Sequence, residues 1–304
     1  MIRAAIDIGS NSVLLCIANV SGEFKVLADI SRVTQLGKSL DKTGVFHPDS
    51  MRATKLALED YVSICKNEYK ILSQDIIITA TEASRVAKNS DLFYSDLKKS
   101  LGIKVCIINA EGEAYYTALG VGLSSSKKDC AIIDIGGAST EIIFFDNGKK
   151  EILSFTSLAV GSVRASDWIK EGVFKTNLKK ALKELPNDTS NCALLNSIWV
   201  AGTVTSLVSI YKKLDLYDAS KVHDSVLNLK EVEEVHGILE KLTSEQIAVN
   251  YPILGKRSSS IAGGAKLVLE LLRKLNLENF SISTFGLRHG TVFKGAIDEY
   301  YISK

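Results

Sequence analysis

One motif occurs twice in this chain, and it constrains the fold more than any other feature. Residues 6–12 read IDIGSNS, and residues 133–141 read IDIGGASTE. Each copy is an apolar strand that ends in Asp, followed by Gly and by small hydroxyl or amide side chains. The copies start 127 residues apart, and the turn glycines that follow them, Gly22 and Gly148, are 126 residues apart. Two strand–loop–strand–turn–strand units in step to within one residue predict a structural duplication.

Around the two copies, apolar runs typical of buried strands alternate with helical periodicity, so the sequence predicts an α/β chain. Its 304 residues, 46% of them hydrophobic, suffice for two domain cores. The short polar stretch GLSSSKKD separates the copies, and we predict one domain over 1–122 and a second over 123–304. The chain is predicted to close with a helix from about Leu287 to Tyr301, and we consider packing of the last helix, about 291–304, back onto the first domain.

Each Asp-Gly loop is predicted to bind phosphate. A strand that ends in Asp-x-Gly and turns into a second strand directs backbone N–H groups into one concavity, which binds anions. We expect Gly9, Gly136 and Gly137 to permit positive φ and a close approach of the backbone to a ligand. The side-chain donors of the two loops are Ser10, Asn11, Ser12, Ser139 and Thr140. One such loop alone is equally compatible with a tight hairpin turn, but two loops in equivalent positions favour phosphate binding.

Asp7 and Asp134 end the two strands where a carboxylate can hold a Mg²⁺ ion, directly or through water, against the same phosphate. Neither loop has the Lys of a Walker A motif, and neither is a GxGxxG that opens a helix. The sequence therefore disfavours a P-loop NTPase and a Rossmann dinucleotide-binding fold.

Net charge, hydropathy and the spacing of the cysteines limit the binding partners and the cellular compartment that can be expected. A formal net charge of +2 excludes a generally basic nucleic-acid surface, so no DNA partner is expected. No apolar run approaches the ~18 residues that a membrane span needs, and the N-terminus has no signal-peptide pattern. The five cysteines are widely spaced and mostly set in apolar surroundings, which is typical of buried thiols in a reducing compartment. We therefore expect a cytoplasmic protein with no membrane partner.

Seven stretches of the sequence resemble one known family. They are IDIGSNS, RVTQLGKSLDKTG, TATEASRVAKN, IDIGGASTE, LAVGSVR, AGTVTSL and FGLRHG. In this order they are similar to the motifs of the exopolyphosphatase / guanosine pentaphosphate phosphatase (Ppx/GppA) family, in a short two-domain form, within the sugar kinase–Hsp70–actin superfamily. The resemblance spans essentially the full chain. It implies two duplicated actin-like (ribonuclease H-like) α/β domains with an interdomain cleft.

The resemblance also implies a chemistry, the Mg²⁺-dependent hydrolysis of a terminal phosphate from a phosphoanhydride chain. The implied general base is Glu113, in the stretch NAEGEA, and the implied phosphate-gripping arginine is Arg85. The family's metal and second-loop residues fall on Asp134, Gly136 and Glu141. From the residues alone, a solvent-facing Glu in the first turn of a helix, where it favours the helix dipole, is the preferred interpretation of Glu113. For Arg85 the alternative is a surface ion pair.

Several positions depart from the family pattern. They are Asn109, Ala110, Gly112, Ala138, Ser258, Ser259 and His289. None of them removes a predicted acidic site residue, so the chemistry is expected to survive, while loop geometry and substrate preference are open.

The favoured function is an exopolyphosphatase that acts on inorganic polyphosphate, with a water activated by a Glu base. A pppGpp 5′-phosphatase is the close alternative, and a non-catalytic phosphate or nucleotide sensor is another. An ATP-using sugar kinase is disfavoured because no adenine-binding signature is evident and a kinase would use an Asp base. A homodimer is considered.

Overall fold

The structure is a computed structural model that describes residues 1–125, 127, 129–185 and 197–303. The chain forms two compact units. The first unit contains Met1–Ser125 together with Phe285–Lys304, and the second contains Ser126–Thr284. The N-terminal unit is therefore completed by the C-terminal segment of the chain.

The first unit is built on a five-stranded sheet of order β3-β2-β1-β4-β5. Its strands are β1 Ile2–Ile8, β2 Ser12–Asn19, β3 Lys25–Val33, β4 Ile76–Ala80 and β5 Val105–Ile107. β1, β2 and β3 are antiparallel neighbours, whereas β4 is parallel to β1 and β5 is parallel to β4. The central β1 is buried on both faces from Ala4 onward, as expected for a strand with a layer of structure on each side.

Five helices precede the second unit within residues 1–125. They are α1 Leu40–Thr43, α2 Pro48–Ser63, α3 Glu82–Val86, α4 Ser90–Leu101 and α5 Ala110–Ser124. Pro48 stands at the first position of α2, because its fixed φ suits a helix start and its missing N–H is not needed there. Leu58 and Tyr61 of α2 pack against Val13 and Leu15 of the sheet in a core that is fully buried.

The second unit repeats this plan in a six-stranded sheet among its described residues, of order β10-β11-β9-β6-β7-β8. Its strands are β6 Asp129–Ile135, β7 Thr140–Asp146, β8 Glu151–Leu158, β9 Ile198–Val200, β10 Val226–Asn228 and β11 Asn279–Ile282. Its helices are α6 Ser162–Lys170, α7 Phe174–Ala181, α8 Gly202–Tyr211, α9 Ala219–Val222, α10 Leu229–Leu239, α11 Ser244–Asn250 and α12 Ile261–Lys274. Trp199 and Phe280, with ring centroids 4.4 Å apart, join β9 to β11 in the core.

The predicted duplication is confirmed down to an irregularity of the strands. The β2–β3 ladder shifts register between Ile17 and Ala18, and the β7–β8 ladder shifts between Phe144 and Phe145. Both members of the second pair lie 127 residues after those of the first, which is the offset of the repeated motif. A shared bulge at a shared position indicates that the two units have one ancestral architecture.

The C-terminal segment returns to the first unit through α13, Leu287–Lys294. The prediction of one closing helix from Leu287 to Tyr301 is wrong beyond α13, because Gly295 follows with φ 80° and ends the helix. A separate 3₁₀ turn covers Glu299–Tyr301. α13 lies directly on α5, and a Cβ atom on Gly290 would overlap the carbonyl oxygen of Tyr116. Only glycine permits this approach of the two helix backbones.

Candidate active site

Loop 1, residues 9–11, connects β1 to β2 in the first unit. The N–H of Gly9 donates to the carbonyl oxygen of Ser12 at 2.9 Å and closes the turn. The segment after β3 returns onto the loop, where the N–H of Gly37 donates to the carbonyl oxygen of Ser10 at 2.7 Å. The loop is therefore held by its own turn and by a second segment of the same unit.

Two polar atoms at loop 1 are buried and, among the described residues, have no hydrogen-bond partner. They are Oδ1 of Asn11 and Oγ1 of Thr34. The two residues are also joined through the backbone, because the N–H of Thr34 donates to the carbonyl oxygen of Asn11 at 3.0 Å. A buried polar group left unsatisfied costs about 1–3 kcal/mol, and an Asn amide can present either its oxygen or its nitrogen. A polar ligand bound at loop 1 would supply the hydrogen bonds that these two atoms lack.

Asp7 lies at the end of β1 and is 9% exposed. Its charge acts on the buried Tyr94, whose hydroxyl is 2.6 Å from Oγ of Ser84. Burial raises the pKa of Tyr94, the hydrogen bond with Ser84 opposes this shift, and the negative charge of Asp7 adds to it. The carboxylate of Asp7 thus stands inside the unit at the base of loop 1.

Arg85 and Glu113 are brought together in the first unit. Arg85, on α3, donates from Nη1 to the carbonyl oxygen of Ile108 at 2.7 Å and to Oε2 of Glu113 at 3.0 Å. Their side chains are 18% and 13% exposed. Glu113 lies in the first turn of α5, where Asn109 caps the helix by accepting from the N–H of Gly112. Arg85 therefore forms an ion pair, as considered, but the pair is largely buried and does not lie at the surface. Its partner is the residue that the family resemblance implies as the base.

Loop 2, residues 136–139, connects β6 to β7 in the second unit and repeats the turn of loop 1. The N–H of Gly136 donates to the carbonyl oxygen of Ser139 at 3.0 Å. The returning segment again lies against the loop, and a Cβ atom on Gly161 would come within 2.5 Å of the carbonyl carbon of Gly137. Both loops therefore share a turn bond and a segment packed on the loop.

The expectation of positive φ at Gly9, Gly136 and Gly137 is wrong, because none of them is among the described glycines with positive φ. Space is the reason for glycine at the first two of these positions. A Cβ atom would lie 3.3 Å from the carbonyl oxygen of Ser12 at Gly9 and 3.3 Å from that of Ser139 at Gly136. The tight turn bond thus requires the small residue.

Two side chains bind the backbone around loop 2. Thr140, fully buried, donates from Oγ1 to the carbonyl oxygen of Val160 at 2.6 Å. Arg164 donates from Nη1 to the carbonyl oxygen of Ala138 at 2.6 Å. Arg164 was not among the predicted site residues, although the stretch LAVGSVR contains it. A cation next to a candidate phosphate loop is the signal that could have identified it.

Asp134 and Glu141 face each other across β6 and β7. They are direct partners in the antiparallel ladder, and Glu141 is in turn the partner of Ser157 on β8. The hydroxyl of Ser157 donates to Oε1 of Glu141 at 2.8 Å. Directly paired residues of an antiparallel ladder share one face of the sheet, and like charges there repel each other. A bound cation would relieve that repulsion.

The same row in the first unit holds a single carboxylate. Asp7 pairs with Leu14, and Leu14 pairs with Ser31. The duplicated architecture therefore places an apolar residue where the second unit has Glu141. Of these two sets of paired strand positions, only the one in the second unit contains two acidic residues.

Arg257 lies against the start of α8. A Cβ atom on Gly202 would come within 3.0 Å of the guanidinium carbon of Arg257. Next to it Ala201 has φ 77°, a conformation that L-residues rarely adopt, and Thr203 donates from Oγ1 to the carbonyl oxygen of Ile135 at 3.3 Å. Backbone strain of this kind concentrates at functional sites. Arg257 was not among the predicted site residues, because a single arginine in a 3₁₀ segment has no periodic signature.

His289, one of the departures from the family pattern, is fully buried in the first unit. The N–H of Gly286 donates to its Nδ1 at 3.2 Å, and its Nε2 lies 3.4 Å from Oδ2 of Asp29. Arg288 binds the same carboxylate with two hydrogen bonds of 2.7 and 2.6 Å. Burial alone would raise the pKa of Asp29, but Arg288 and His289 hold it well below its ordinary value. This cluster fastens α13 to β3.

Comparison with known proteins assigns the chain to a family. A model of the Ppx/GppA phosphatase family matches residues 15–298. The chain belongs to this family. Exopolyphosphatase 2 of Mycobacterium tuberculosis is 30% identical over 299 aligned residues, which cover 90% of this chain and 90% of that protein. The guanosine-5′-triphosphate,3′-diphosphate pyrophosphatase of Pseudoalteromonas translucida is 28% identical over 310 aligned residues, which cover 96% of this chain and 59% of that protein.

A Ppx/GppA family member from Aquifex aeolicus, solved by crystallography, is similar throughout. It matches with a TM-score of 0.75 and 27% identity over 97% of both chains. The predicted α/β fold of two duplicated actin-like domains is thereby confirmed, as is the prediction of a hydrolase that acts on phosphorus-containing anhydrides.

The structure bears on two expectations, the absence of a membrane span and the presence of a metal site. Over the described part of the chain, no helix combines the length and apolar character that a bilayer span requires. Within the same residues, no three or more His, Cys, Asp or Glu side chains group so as to hold a metal ion. The predicted Mg²⁺ ligands Asp134 and Glu141 thus form a pair within the second unit.

Proposed function

We propose that this Ppx/GppA family member is an exopolyphosphatase that releases the terminal phosphate of inorganic polyphosphate. The observation that carries the proposal is the largely buried pair of Arg85 and Glu113 in the unit that holds loop 1. Loop 1, Arg85 and Glu113 follow the carboxyl ends of β1, β4 and β5, which are parallel neighbours, so all three lie at the same edge of the first sheet. The relative that matches this chain at 90% of both lengths is named an exopolyphosphatase, which supports the choice of substrate.

The proposed reaction is a single hydrolytic displacement. Water attacks the terminal phosphorus, Glu113 accepts the proton that the water loses, and the bond from that phosphorus to the bridging oxygen breaks. The products are phosphate and a shortened polyphosphate. Positioning and neutralisation of charge do most of the work in phosphoryl transfer, and the base needs only to orient and deprotonate the water.

Phosphate binding is proposed for the loop residues Gly9, Ser10, Asn11, Ser12, Gly136, Gly137, Ser139 and Thr140. Arg85 is proposed to hold a phosphate oxygen and Glu113 at once, because a guanidinium carries five N–H donors and both of its observed bonds use Nη1.

Mg²⁺ is the proposed cofactor, with Asp134 and Glu141 of the second unit as its ligands, and the metal role of Asp7 in the first unit stays a prediction. The donor set fits the ion, since Mg²⁺ takes oxygen ligands and is commonly bound through one or two carboxylates plus substrate phosphate and water. The facing acidic side chains of β6 and β7 support this assignment. When bound, Mg²⁺ supplies positive charge that offsets the charge of the phosphate oxygens.

The second candidate substrate is pppGpp, because the Pseudoalteromonas relative is named for that type of substrate. Phosphate release from polyphosphate, pppGpp and ATP, each with and without Mg²⁺, separates the candidates. We expect Mg²⁺-dependent release that is fastest with polyphosphate. Faster release from pppGpp would move the assignment to the alternative, and no release from any of the three would leave a phosphate sensor as the function.

A cytoplasmic location is also proposed. Cys16, Cys65 and Cys106 are free thiols, and the first two are buried, as expected for a protein of a reducing compartment. The homodimer stays a prediction.

A further inference from the structure

The last described residues, 298–303, form a tail segment that binds the chain just before α5. The N–H of Asn109 donates to the carbonyl oxygen of Tyr301 at 2.8 Å, and Nδ2 of Asn109 donates to that of Tyr300 at 3.0 Å. Ile302 forms an antiparallel bridge with Ile108. The tail segment thus extends the edge of the first sheet next to β5.

Side-chain packing joins the tail segment to the first turns of α5. The ring of Tyr301 is stacked on that of Tyr115 at 5.1 Å between centroids and 21° between planes, and it meets Tyr116 edge-on at 5.8 Å. Gly112 makes room for this residue, because a Cβ atom on Gly112 would come within 2.6 Å of Cβ of Tyr301. The hydroxyl of Tyr300 donates to Oε2 of Glu111 at 2.9 Å.

The backbone that the tail segment holds is also the backbone that places Arg85 and Glu113. Asn109 is the N-cap of α5, and its carbonyl oxygen accepts the N–H of Glu113 at 3.0 Å. The neighbouring carbonyl oxygen of Ile108 accepts from Nη1 of Arg85 at 2.7 Å. Two consecutive residues therefore connect the tail segment to both members of the pair.

We propose that the tail segment is a positioning element for the proposed reaction, and that it holds α5 through the contact between Tyr301 and Gly112. The inference rests on the proposed function of Glu113. Tyr301 packs on Tyr115 and Tyr116 of α5, so it acts on the orientation of the Arg85–Glu113 pair and not on the grip of the substrate. Two positions that depart from the family pattern, Asn109 and Gly112, are among those that contact the tail segment.

The test is a double-mutant cycle. Gly112→Ala places a Cβ atom against Cβ of Tyr301, and Tyr301→Gly removes that atom. We expect Gly112→Ala to lower kcat up to about 100-fold with KM retained, since a displacement of about 1 Å at a catalytic group can cost that much. In the double variant, kcat should equal that of Tyr301→Gly alone. Tyr301→Phe, which keeps the ring and Cβ, should retain the wild-type kcat. The matched control is Gly237→Ala, a helical glycine of α10 whose added Cβ meets nothing within 4 Å.

Losses of kcat that multiply in the double variant, or a Gly112→Ala variant as active as Gly237→Ala, would overturn the proposal. Amide hydrogen exchange at Asn109 and Glu113 provides a readout that does not depend on activity, and we expect faster exchange at both in Tyr301→Gly. Slower or unchanged exchange would refute the contact itself. If wild-type protein releases no phosphate from any anhydride, the proposed function fails while exchange still reports on the tail segment. Faster exchange with an unchanged kcat in folded, active Tyr301→Gly would mean that the tail segment only stabilises the structure, and it would overturn the positioning role.

Discussion

Asp29→Asn tests the cluster that fastens α13 to the sheet of the first unit. The substitution keeps the shape of the side chain and removes the charge that Arg288 binds through two hydrogen bonds. The two side chains are 25% and 14% exposed. Loss of one partner of a fully buried ion pair destabilises a protein by about 3–5 kcal/mol, and partial exposure reduces the figure. We expect the free energy of unfolding to fall by about 2–3 kcal/mol at pH 7.

The pH dependence of this loss has a definite sign. Arg288 and His289 depress the pKa of Asp29 in the folded protein below its ordinary value of 3.8. The stabilisation is therefore fully present above the unfolded pKa and is lost as the pH falls through the folded one. Cys16, opposite Asp29 on β2, does not interfere, because burial raises the pKa of its thiol to about 12 and keeps it neutral.

The assay is urea denaturation of wild type and Asp29→Asn at a series of pH values. The difference in free energy of unfolding should be constant from about pH 7 to pH 5 and should shrink below about pH 4. A difference that is absent at pH 7, or one that grows on acidification, would refute the reasoning.

Two further predictions concern the acidic pair and the contact between α5 and α13. Asp134→Ala should abolish Mg²⁺-dependent phosphate release, and a variant with wild-type activity and metal dependence would remove Asp134 from the proposed metal site. Gly290→Ala should lower the free energy of unfolding by about 1–3 kcal/mol, the usual effect of overpacking, because the added Cβ overlaps the backbone of Tyr116. Gly237→Ala, by contrast, should be neutral or stabilising by up to about 1 kcal/mol, because alanine favours the helix and the added Cβ atom meets nothing within 4 Å. Equal urea midpoints for Gly290→Ala and Gly237→Ala would contradict the role of close packing.

The duplicated part of the fold was predictable because its signal is local and repeated. Each copy joins an apolar strand to a glycine loop and then to another apolar strand, and the structure has β1–β2–β3 and β6–β7–β8 at these places. The turns that contain Gly22 and Gly148 are longer than a two-residue hairpin turn, since residues 20–24 and 147–150 connect the strands. The three-residue β10 escaped prediction because so short a run has no measurable alternation.

Contacts between distant segments were out of reach of a single sequence. The pair of Arg85 and Glu113 spans 28 residues, and the bond from Asn109 to Tyr300 spans 191. The end of α13 at Gly295 was visible in principle, because glycine after a helical run commonly ends it. The predicted helix nevertheless continued to Tyr301, which in the structure lies in a separate 3₁₀ turn and packs on α5.

The exchange Glu113→Gln tests the central claim most directly. Gln keeps the shape of the side chain and removes the base. The matched control for an effect on the helix dipole is Glu111→Gln, in the same first turn of α5, which keeps an oxygen that can accept from the hydroxyl of Tyr300. Removal of a general base typically lowers the rate by about 10²–10⁴-fold. We predict that kcat for phosphate release from polyphosphate falls by that factor in Glu113→Gln alone, while directly measured polyphosphate binding is unchanged or slightly tighter. A kcat that barely changes, or that falls equally in both variants, would show that Glu113 is only an acidic residue in the first turn of a helix. Loss of polyphosphate binding together with the rate would show that Glu113 is structural or a metal ligand.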